Sequence, residues 1–276
     1  MTISRSDITI FGVLNVTEDS FSDGGRFLDP TKAIQEGLRL VAEGADVVDV
    51  GAASSHPEAV AVSAAEEIAR LAPVVKELSA SAVALSIDSW RTEVQRWALA
   101  QPVAWLNDIR GFVDPSFYAE LADSDCGLIA MHSLAGGTRA VRETFSPTTV
   151  LARIDAWFAE RLNTLEQAGV TRDRIVLDPG MGLFLGSNEQ ASIAVLRNYR
   201  HWCELFDTQL MVAVSRKSII GRLTGKPVGG RLAGGLAAEL FAIDTGARAV
   251  RTHEPGALAD ALTVRDALTG SPETDG

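Results

Sequence analysis

The stretch PTKAIQEGLRLVAEGADVVDV, residues 30–50, contains one copy of the pattern that decides the fold. Leu38, Val41 and Ala42 follow the i, i+3, i+4 spacing of the buried face of a helix. Residues 47–50 then form a short, nearly apolar run, which is typical of a buried strand. A helix that leads into such a strand is the unit of a parallel sheet covered by helices on its outer face.

The same unit recurs along the whole chain. Strands are predicted at residues 9–14, 47–50, 84–87, 103–106, 127–131, 175–177, 210–214 and 249–251. Helices are predicted at residues 30–43, 64–78, 90–98, 115–122, 147–168, 189–199, 231–244 and 256–268. Eight β/α units in 276 residues favour a closed (β/α)8 TIM barrel over an open sheet. No linker or composition shift divides the chain, so we expect one domain over residues 1–276, with a flexible tail at 271–276.

Composition and charge exclude several classes of partner. The net charge of −11 argues against nucleic acid and anionic membrane surfaces as partners. The chain has no apolar run of the length needed to span a bilayer, and its N-terminus reads as a strand instead of a signal peptide. Cys126 and Cys203 lie far apart and lack metal-ligand spacing, which predicts two reduced thiols in a cytoplasmic protein.

Polar side chains follow the predicted strands and would meet on one face of the barrel. They are Asn15, Asp49, Asp88, Asn107 with Asp108, His132 after Met131, Asp178, Ser215 with Arg216 and Lys217, and Arg251 with Thr252 and His253. The carboxyl ends of the strands form the active-site face of barrel enzymes. An Asp or Asn at such a position can also be a helix cap, and Asp88 could cap the helix near Trp90. Capping does not explain Lys217, Arg251 or His253, which have no acceptor while charged.

This set of side chains predicts a ligand with two different ends. Asp88, Asn107 and Asp178 supply acceptors and an amide, which suit a flat heterocycle with several N–H donors and a carbonyl. Lys217, Arg251 and His253 are read as adjacent cations on the last two strands, where barrels often bind phosphate. The expected ligand is therefore a polar ring at one end and an anion at the other.

The strings at these positions resemble the signatures of the dihydropteroate synthase family, in order and over nearly the whole chain. The first is NVTEDSFSDGG at residues 15–25. The others are SIDS at 86–89, LND at 106–108, MH at 131–132, LDPG at 177–180, SRKS at 215–218 and RTH at 251–253. Three longer strings are most similar to the sulfonamide-insensitive members: AASSHP at 52–57, LNDIRGF at 106–112 and LDPGMGLFLG at 177–186.

The resemblance implies a reaction and a set of site residues. The substrates would be a pterin pyrophosphate and 4-aminobenzoate, with magnesium (Mg²⁺) as cofactor and a homodimer as the assembly. The implied pterin contacts are Asp88, Asn107, Ile109, Met131, Asp178, Lys217 and Arg251. Of these, Lys217, Arg251 and Asp88 would be catalytic. The 4-aminobenzoate pocket would be shaped by Phe21, Ser55, Pro57, Phe184 and Ser218. Pyrophosphate would contact Asn15, His56 and His253, with Asn15 also binding the metal.

Two loops depart from the usual family pattern. Ala53, Ser55 and His56 stand where other members have Glu, Thr and an Arg that contacts the anion. The loop at residues 181–188 is about two residues longer than usual, with Leu183 and Phe184 at the place of one Phe. Both loops flank the expected aminobenzoate pocket, which predicts that sulfonamides are discriminated against.

Two other functions remain as alternatives. A methyltetrahydrofolate–corrinoid methyltransferase barrel would keep the acids that bind the pterin edge, but not the cations of SRKS and RTH. A noncatalytic paralogue would bind pterin without turnover, and loss of Asn15, Lys217 or the first loop would favour it. All three features are present in this sequence.

Overall fold

The computed structural model describes residues 3–17, 29–54, 61–134, 144–186 and 188–269. The strands in these ranges are β1 Thr9–Asn15, β2 Val47–Gly51, β3 Leu85–Asp88, β4 Trp105–Asp108, β5 Gly127–Met131, β6 Ile175–Asp178, β7 Gln209–Val212 and β8 Ala249–Thr252. The α-helices are α1 Pro30–Ala42, α2 Ala64–Ala80, α3 Thr92–Leu99, α4 Tyr118–Asp123, α5 Pro147–Gln167, α6 Glu189–Arg197, α7 Tyr199–Phe206, α8 Ser218–Thr224, α9 Leu232–Asp244 and α10 Pro255–Thr269.

The eight strands form one closed barrel in sequence order. Every neighbouring pair is parallel, and β1 closes the barrel by pairing with β8, where Thr9 lies opposite Ala249. The predicted (β/α)8 TIM barrel is therefore confirmed. Closure brings the carboxyl ends of all eight strands to one rim, which is the precondition for the site predicted there.

The inside of the barrel consists of an apolar layer with a polar layer above it. The apolar layer comprises Phe11, Val47, Trp105, Ile129, Val176, Met211 and Ala249. Two positions further along, at or just beyond the ends of the same strands, stand Asp49, Asn107, Asp178 and Arg251, together with the apolar Val13, Met131 and Ala213. Because side chains alternate with a period of two along a strand, this second set also points inward. The apolar layer is thus the floor on which the polar side chains rest.

The outer faces of the strands pack against the helices in one continuous apolar cluster that extends from Ile8 to Leu262. Local signals start several of these helices. Asp29 accepts a hydrogen bond from the Thr31 amide ahead of Pro30, and Ser63 accepts one from the Glu66 amide. Such caps satisfy amides that have no partner within the helix. Seven of the eight predicted helices begin within two residues of their predicted start; the eighth, α4, begins at Tyr118, three residues after the predicted start, because a 3-10 turn occupies Pro115–Phe117.

The predicted 11-residue helix at 189–199 is split into two helices at Asn198, which ends α6 and precedes α7. Helix α7 was not predicted as a separate element, although Tyr199, Trp202 and Phe206 form its buried face. Its last residue is followed by Asp207 at φ 46°, a left-handed conformation that stops the helix.

Helix α8 was also missed, because its seven residues include Gly221 and end before Gly225. Glycine has a low helix propensity, which hides so short a helix from a pattern search. The glycine has a packing reason: a Cβ at residue 221 would lie 2.5 Å from the Arg231 guanidinium. That guanidinium donates to the Arg216 carbonyl at 2.8 Å, so Gly221 makes room for a contact that supports the rim of the barrel.

No helix within the described ranges has both the length and the apolar character required to cross a bilayer.

Candidate active site

Arg251 stands at the centre of the rim, between two carboxylates. Its Nε donates to Asp49 Oδ2 at 2.5 Å, and its Nη2 donates to Asp88 Oδ2 at 2.7 Å. These bonds connect β8 with β2 and β3 across the inside of the barrel. The guanidinium is therefore held in a fixed plane by charge-assisted hydrogen bonds, which are the strong ones in proteins.

Asp88 is not the cap of the helix that follows it. The residue at the cap position of α3 is Arg91, which makes no side-chain capping bond, so the alternative raised by the sequence does not hold. Burial raises the pKa of Asp88, and the Arg251 guanidinium opposes that rise. One carboxylate oxygen is thus committed to Arg251, while the group stands at the carboxyl end of β3 with a side chain that is 20% exposed.

Asn107 and Asp108 are adjacent in sequence, but their side chains have different hydrogen-bond partners. Asn107 Nδ2 donates to Asp49 Oδ2 at 3.2 Å inside the barrel. The Asp108 carboxylate instead accepts from the backbone amides of Arg110 at 2.7 Å and Phe112 at 2.8 Å. Asp108 therefore shapes the turn after β4, whereas Asn107 belongs to the inner polar layer.

Asp178 is buried at the end of β6, where a tight turn follows it. Its Oδ1 accepts from the Gly180 amide at 2.7 Å. Gly180 has φ 74°, and a Cβ there would lie 2.4 Å from the His132 carbonyl oxygen, so only glycine fits. Burial raises the pKa of Asp178 and the nearby charge of Lys217 opposes this rise. Each carboxylate oxygen has two lone pairs, so this group can still accept hydrogen bonds from a ligand.

Lys217 is the half-buried cation nearest to Asp178. Burial lowers its pKa to about 8, and the Asp178 carboxylate opposes this shift. Its Nζ lies 5.7 Å from the centre of the Phe184 ring, within the range of a cation–π contact. The preceding residue, Arg216, adopts φ 58° and pairs with Glu254 at 2.5 Å. This left-handed residue turns the chain at the end of β7, so that Lys217 enters the site.

His253 is neutral in this environment, which corrects the reading of three adjacent cations. Burial lowers its pKa to about 3, and the positive charges of Arg216, Arg251 and Lys217 lower it further. Its Nδ1 lies 3.2 Å from Ser215 Oγ. Its backbone amide donates to the same oxygen at 3.2 Å. His253 can thus form hydrogen bonds to an anion but contributes no positive charge of its own.

The remaining predicted residues fall into two groups. The structure places Asn15 at the end of β1, buried Ile109 directly after β4, buried Met131 at the end of β5, and Ser218 in a cleft with Gly182 and Gly186. Phe21, Ser55, His56 and Pro57 lie outside the described residues, as do the side chain of Leu183 and the tail at 271–276.

Asp49 was identified from the sequence as the end of β2 but was given no role, although it lies two positions after the apolar-layer residue Val47. That spacing was the signal that could have placed it inside the barrel.

The geometry defines what this rim can do. Acceptors from Asp88, Asn107 and Asp178 lie on the same rim as the cations Arg251 and Lys217. Within the described ranges, no cluster of three or more His, Cys, Asp or Glu side chains is arranged as a metal site. The side chains on this rim are therefore suited to a polar ring joined to an anion.

Comparisons with known proteins point to one family. The profile of the family described as "Pterin binding enzyme" matches residues 11–253. The chain is 48% identical to dihydropteroate synthase type-3 of Escherichia coli, over 94% of this chain and 98% of the relative. The solved dihydropteroate synthase of Xanthomonas albilineans with 4-aminobenzoic acid has a TM-score of 0.86 at 34% identity, covering 96% of this chain and 94% of that one. The same organism's enzyme in complex with 7,8-dihydropteroate has a TM-score of 0.80 at 31% identity, covering 96% and 94%.

Proposed function

Because the chain belongs to the pterin-binding enzymes, among the dihydropteroate synthases, we propose that it makes 7,8-dihydropteroate. It would join 6-hydroxymethyl-7,8-dihydropterin pyrophosphate to 4-aminobenzoate and release pyrophosphate, as a transferase. The supporting observation is that polar side chains at the ends of β3, β4 and β6 share one rim with two cations: Arg251 donates to Asp88, Asn107 is bonded to the carboxylate that also holds Arg251, and the charge of Asp178 acts on Lys217.

The ring end of the substrate fits the acceptors of the inner polar layer. We propose that Asp178 accepts hydrogen bonds from two N–H groups of the pterin, and that Asp88 and Asn107 contact the rest of its polar edge. Met131 at the end of β5 and Ile109 directly after β4 are buried and would provide apolar walls for the flat ring. A buried acceptor must find a donor or its desolvation is uncompensated, so an analogue without these N–H groups should bind poorly.

The anion end of the substrate fits the cations. In the reaction, the bond between the pterin methylene carbon and the pyrophosphate oxygen breaks, and a bond from the same carbon to the aromatic nitrogen forms. Arg251 and Lys217 would stabilise the negative charge that develops on the departing pyrophosphate, with His253 as a neutral hydrogen-bond donor. The amine then loses a proton to solvent or pyrophosphate. An aryl amine attacks without prior deprotonation, so the side chains need only hold the two reactants in line.

We further propose that pyrophosphate is bound together with Mg²⁺, with Asn15 as the ligand from the protein. An amide oxygen is a suitable ligand for magnesium, which commonly takes one or two protein oxygens and completes its shell with substrate phosphates and water. Asn15 ends β1 and lies in register with Gly51, which is itself in register with Asp88, so it stands on the correct rim. When bound, the metal would neutralise charge on the leaving group.

One assay tests both proposals. Pyrophosphate release and dihydropteroate formation should require 4-aminobenzoate, the pterin pyrophosphate and magnesium, and should stop in excess chelator and return when magnesium is restored. Binding of pterin without turnover under complete conditions would identify a noncatalytic paralogue. Undiminished turnover in chelator would contradict the magnesium proposal alone.

We also propose that the enzyme distinguishes 4-aminobenzoate from sulfonamides. The Phe184 ring lies beside Lys217, and the Leu134 amide donates to the Phe184 carbonyl at 3.1 Å, which anchors the longer loop at this point. A sulfonamide differs from the substrate in a bulkier tetrahedral sulfonyl group and its substituent, which project beyond the position of the carboxylate. An aromatic ring at that position would clash with the drug but not with the planar carboxylate, at small cost to the true substrate.

Removing two residues of the loop around Phe184 should therefore restore inhibition by sulfamethoxazole. The measurement is the ratio of the drug's inhibition constant to the aminobenzoate KM, which we expect to fall by at least about tenfold. The aminobenzoate KM in the same variant is the internal control and should stay within about threefold. If the parent enzyme is already inhibited at drug concentrations near its aminobenzoate KM, resistance is refuted while the synthase proposal stands.

The assembly we propose is a homodimer that uses the outer surface of α8, α9, α10 and the segment between α8 and α9. The large apolar side chains exposed there are Leu223, Val228, Leu232, Phe241, Val264 and Leu268. Such a concentration of exposed apolar side chains is unusual for a surface that faces water and typical of one covered by another protein. The mass of the chain in solution, measured by light scattering, tests this proposal.

We also propose a cytoplasmic location, on the ground that the cysteines Cys126 and Cys203 are both free thiols.

A further inference from the structure

Asp49 is a buried carboxylate on which two site residues converge. Its side chain is fully buried, and its Oδ2 accepts from Arg251 Nε at 2.5 Å and from Asn107 Nδ2 at 3.2 Å. Strand β2 is two strands away from β8 on one side and two strands away from β4 on the other. One oxygen atom therefore links the two sides of the site across the inside of the barrel.

The contact with Asn107 determines which end of the amide faces the ligand. A carboxylate that pairs with a guanidinium is an acceptor only, so Asn107 must turn its NH₂ group toward Asp49. The other end of the amide, Oδ1, is then directed away from Asp49 as an acceptor. A ring with N–H donors requires that orientation, and the opposite orientation would present a donor to a donor.

The contact with Arg251 determines the plane of the guanidinium. Asp49 engages Nε and Asp88 engages Nη2, so the group is fixed at two of its nitrogens. Asp88 is 20% exposed, whereas Asp49 is fully buried below it. Asp88 is thus positioned to meet the ligand, and Asp49 to act only through its neighbours.

This arrangement lowers the stability of the fold. Asp49 Oδ1 is buried and has no hydrogen-bond partner among the described residues. Buried polar atoms nearly always have a partner, and an exception needs a reason other than stability. A role in the site is such a reason.

We propose that Asp49 is a positioning residue for pterin binding: through Arg251 it fixes the cation, and through Asn107 it sets the hydrogen-bond polarity presented to the ring. This inference rests on the proposed function. It predicts an effect on the pterin substrate and little effect on 4-aminobenzoate, since both neighbours of Asp49 belong to the pterin contacts.

The test is Asp49→Asn, which keeps the shape and removes the charge. The expected result is a pterin pyrophosphate KM raised at least about tenfold, with the aminobenzoate KM within about twofold. Asp46→Asn is the matched control, because Asp46 immediately precedes the same strand and pairs with Arg5 at the opposite end of the barrel. It should leave both KM values within about twofold of the parent.

A double-mutant cycle separates a positioning role from a merely structural one. In an Arg251→Ala background, Asp49→Asn should raise the pterin KM clearly less than it does in the parent, because the contact between Asp49 and Arg251 is already lost. The exchange Asp49→Asn with Asn107→Asp keeps one carboxylate and one amide, and restores an acceptor facing the ring. The pterin KM of this exchange variant should be at least about threefold lower than that of Asp49→Asn alone.

The outcomes separate the positioning role from the proposed function. A parent enzyme without dihydropteroate formation refutes the proposed function. An active parent with an unchanged pterin KM in folded Asp49→Asn refutes the positioning role alone. If Asp49→Asn does not fold, the exchange variant is compared with Asn107→Ala. Tighter pterin binding by the exchange variant supports the inference, and equal or weaker binding overturns it.

Discussion

Asp178→Asn is expected to leave the barrel folded and to abolish useful binding of the pterin. The carboxylate is buried at the end of β6, with Oδ1 already accepting from the Gly180 amide at 2.7 Å. If the asparagine keeps that bond with its single acceptor oxygen, its NH₂ group faces the N–H donors of the ring. The charge that opposes Lys217 is also lost. We expect a loss of about 3 kcal/mol, or more than about a hundredfold in affinity.

Calorimetry with 7,8-dihydropteroate measures this loss directly, and thermal unfolding followed by circular dichroism shows whether the barrel is intact. Asp173→Asn is the matched control, because Asp173 is exposed just before the same strand, at the far end of the barrel from the rim. Its affinity should equal that of the parent. Unchanged affinity in Asp178→Asn itself would mean that the pterin is bound elsewhere.

Replacing either cation with alanine should reduce turnover by at least about tenfold, which corresponds to the loss of a charge contact of about 1.4 kcal/mol in the transition state. Arg251→Ala should have the larger effect, because it leaves the carboxylates of Asp49 and Asp88 without the guanidinium between them. Arg248→Ala, at the opposite end of β8, is the control and should retain full turnover. Neutral effects of both Arg251→Ala and Lys217→Ala would place the anion elsewhere in the molecule.

The pH profile gives a separate test of Lys217. Burial lowers its pKa to about 8, so the ammonium is charged below that value and neutral above it. If the charge stabilises the leaving pyrophosphate, kcat/KM should fall as the pH rises through about 8. Lys217→Arg should move this decline to higher pH, because a guanidinium keeps its proton throughout the range. The residual activity of Lys217→Ala should lack the decline altogether.

The sequence was sufficient for the barrel and for most of its rim. Apolar runs such as the one before Asp178 repeat with the period of a β/α unit, and each ends at a polar residue that closure brings to the rim. Charge was harder to predict, because the neutral state of His253 follows from burial in the folded barrel and from the nearby charges of Arg216, Arg251 and Lys217. Asp49 was named without a role for the same reason, since its partners are distant in sequence. The helices α7 and α8 were missed because a break at Asn198 and the glycine at 221 disrupt the local period.

The bond between Arg251 and Asp49 joins residues 202 positions apart, which has a consequence for the newly made chain. Contacts of such separation form only after the entropy of closing the intervening chain has been overcome. A chain still on the ribosome without β8 has neither the closing strand nor the guanidinium, so it has no complete pocket for substrate. A ligand stabilises only the state that binds it. The substrate should therefore protect complete molecules from proteolysis, whereas incomplete chains gain no such protection and remain substrates for chaperones and proteases.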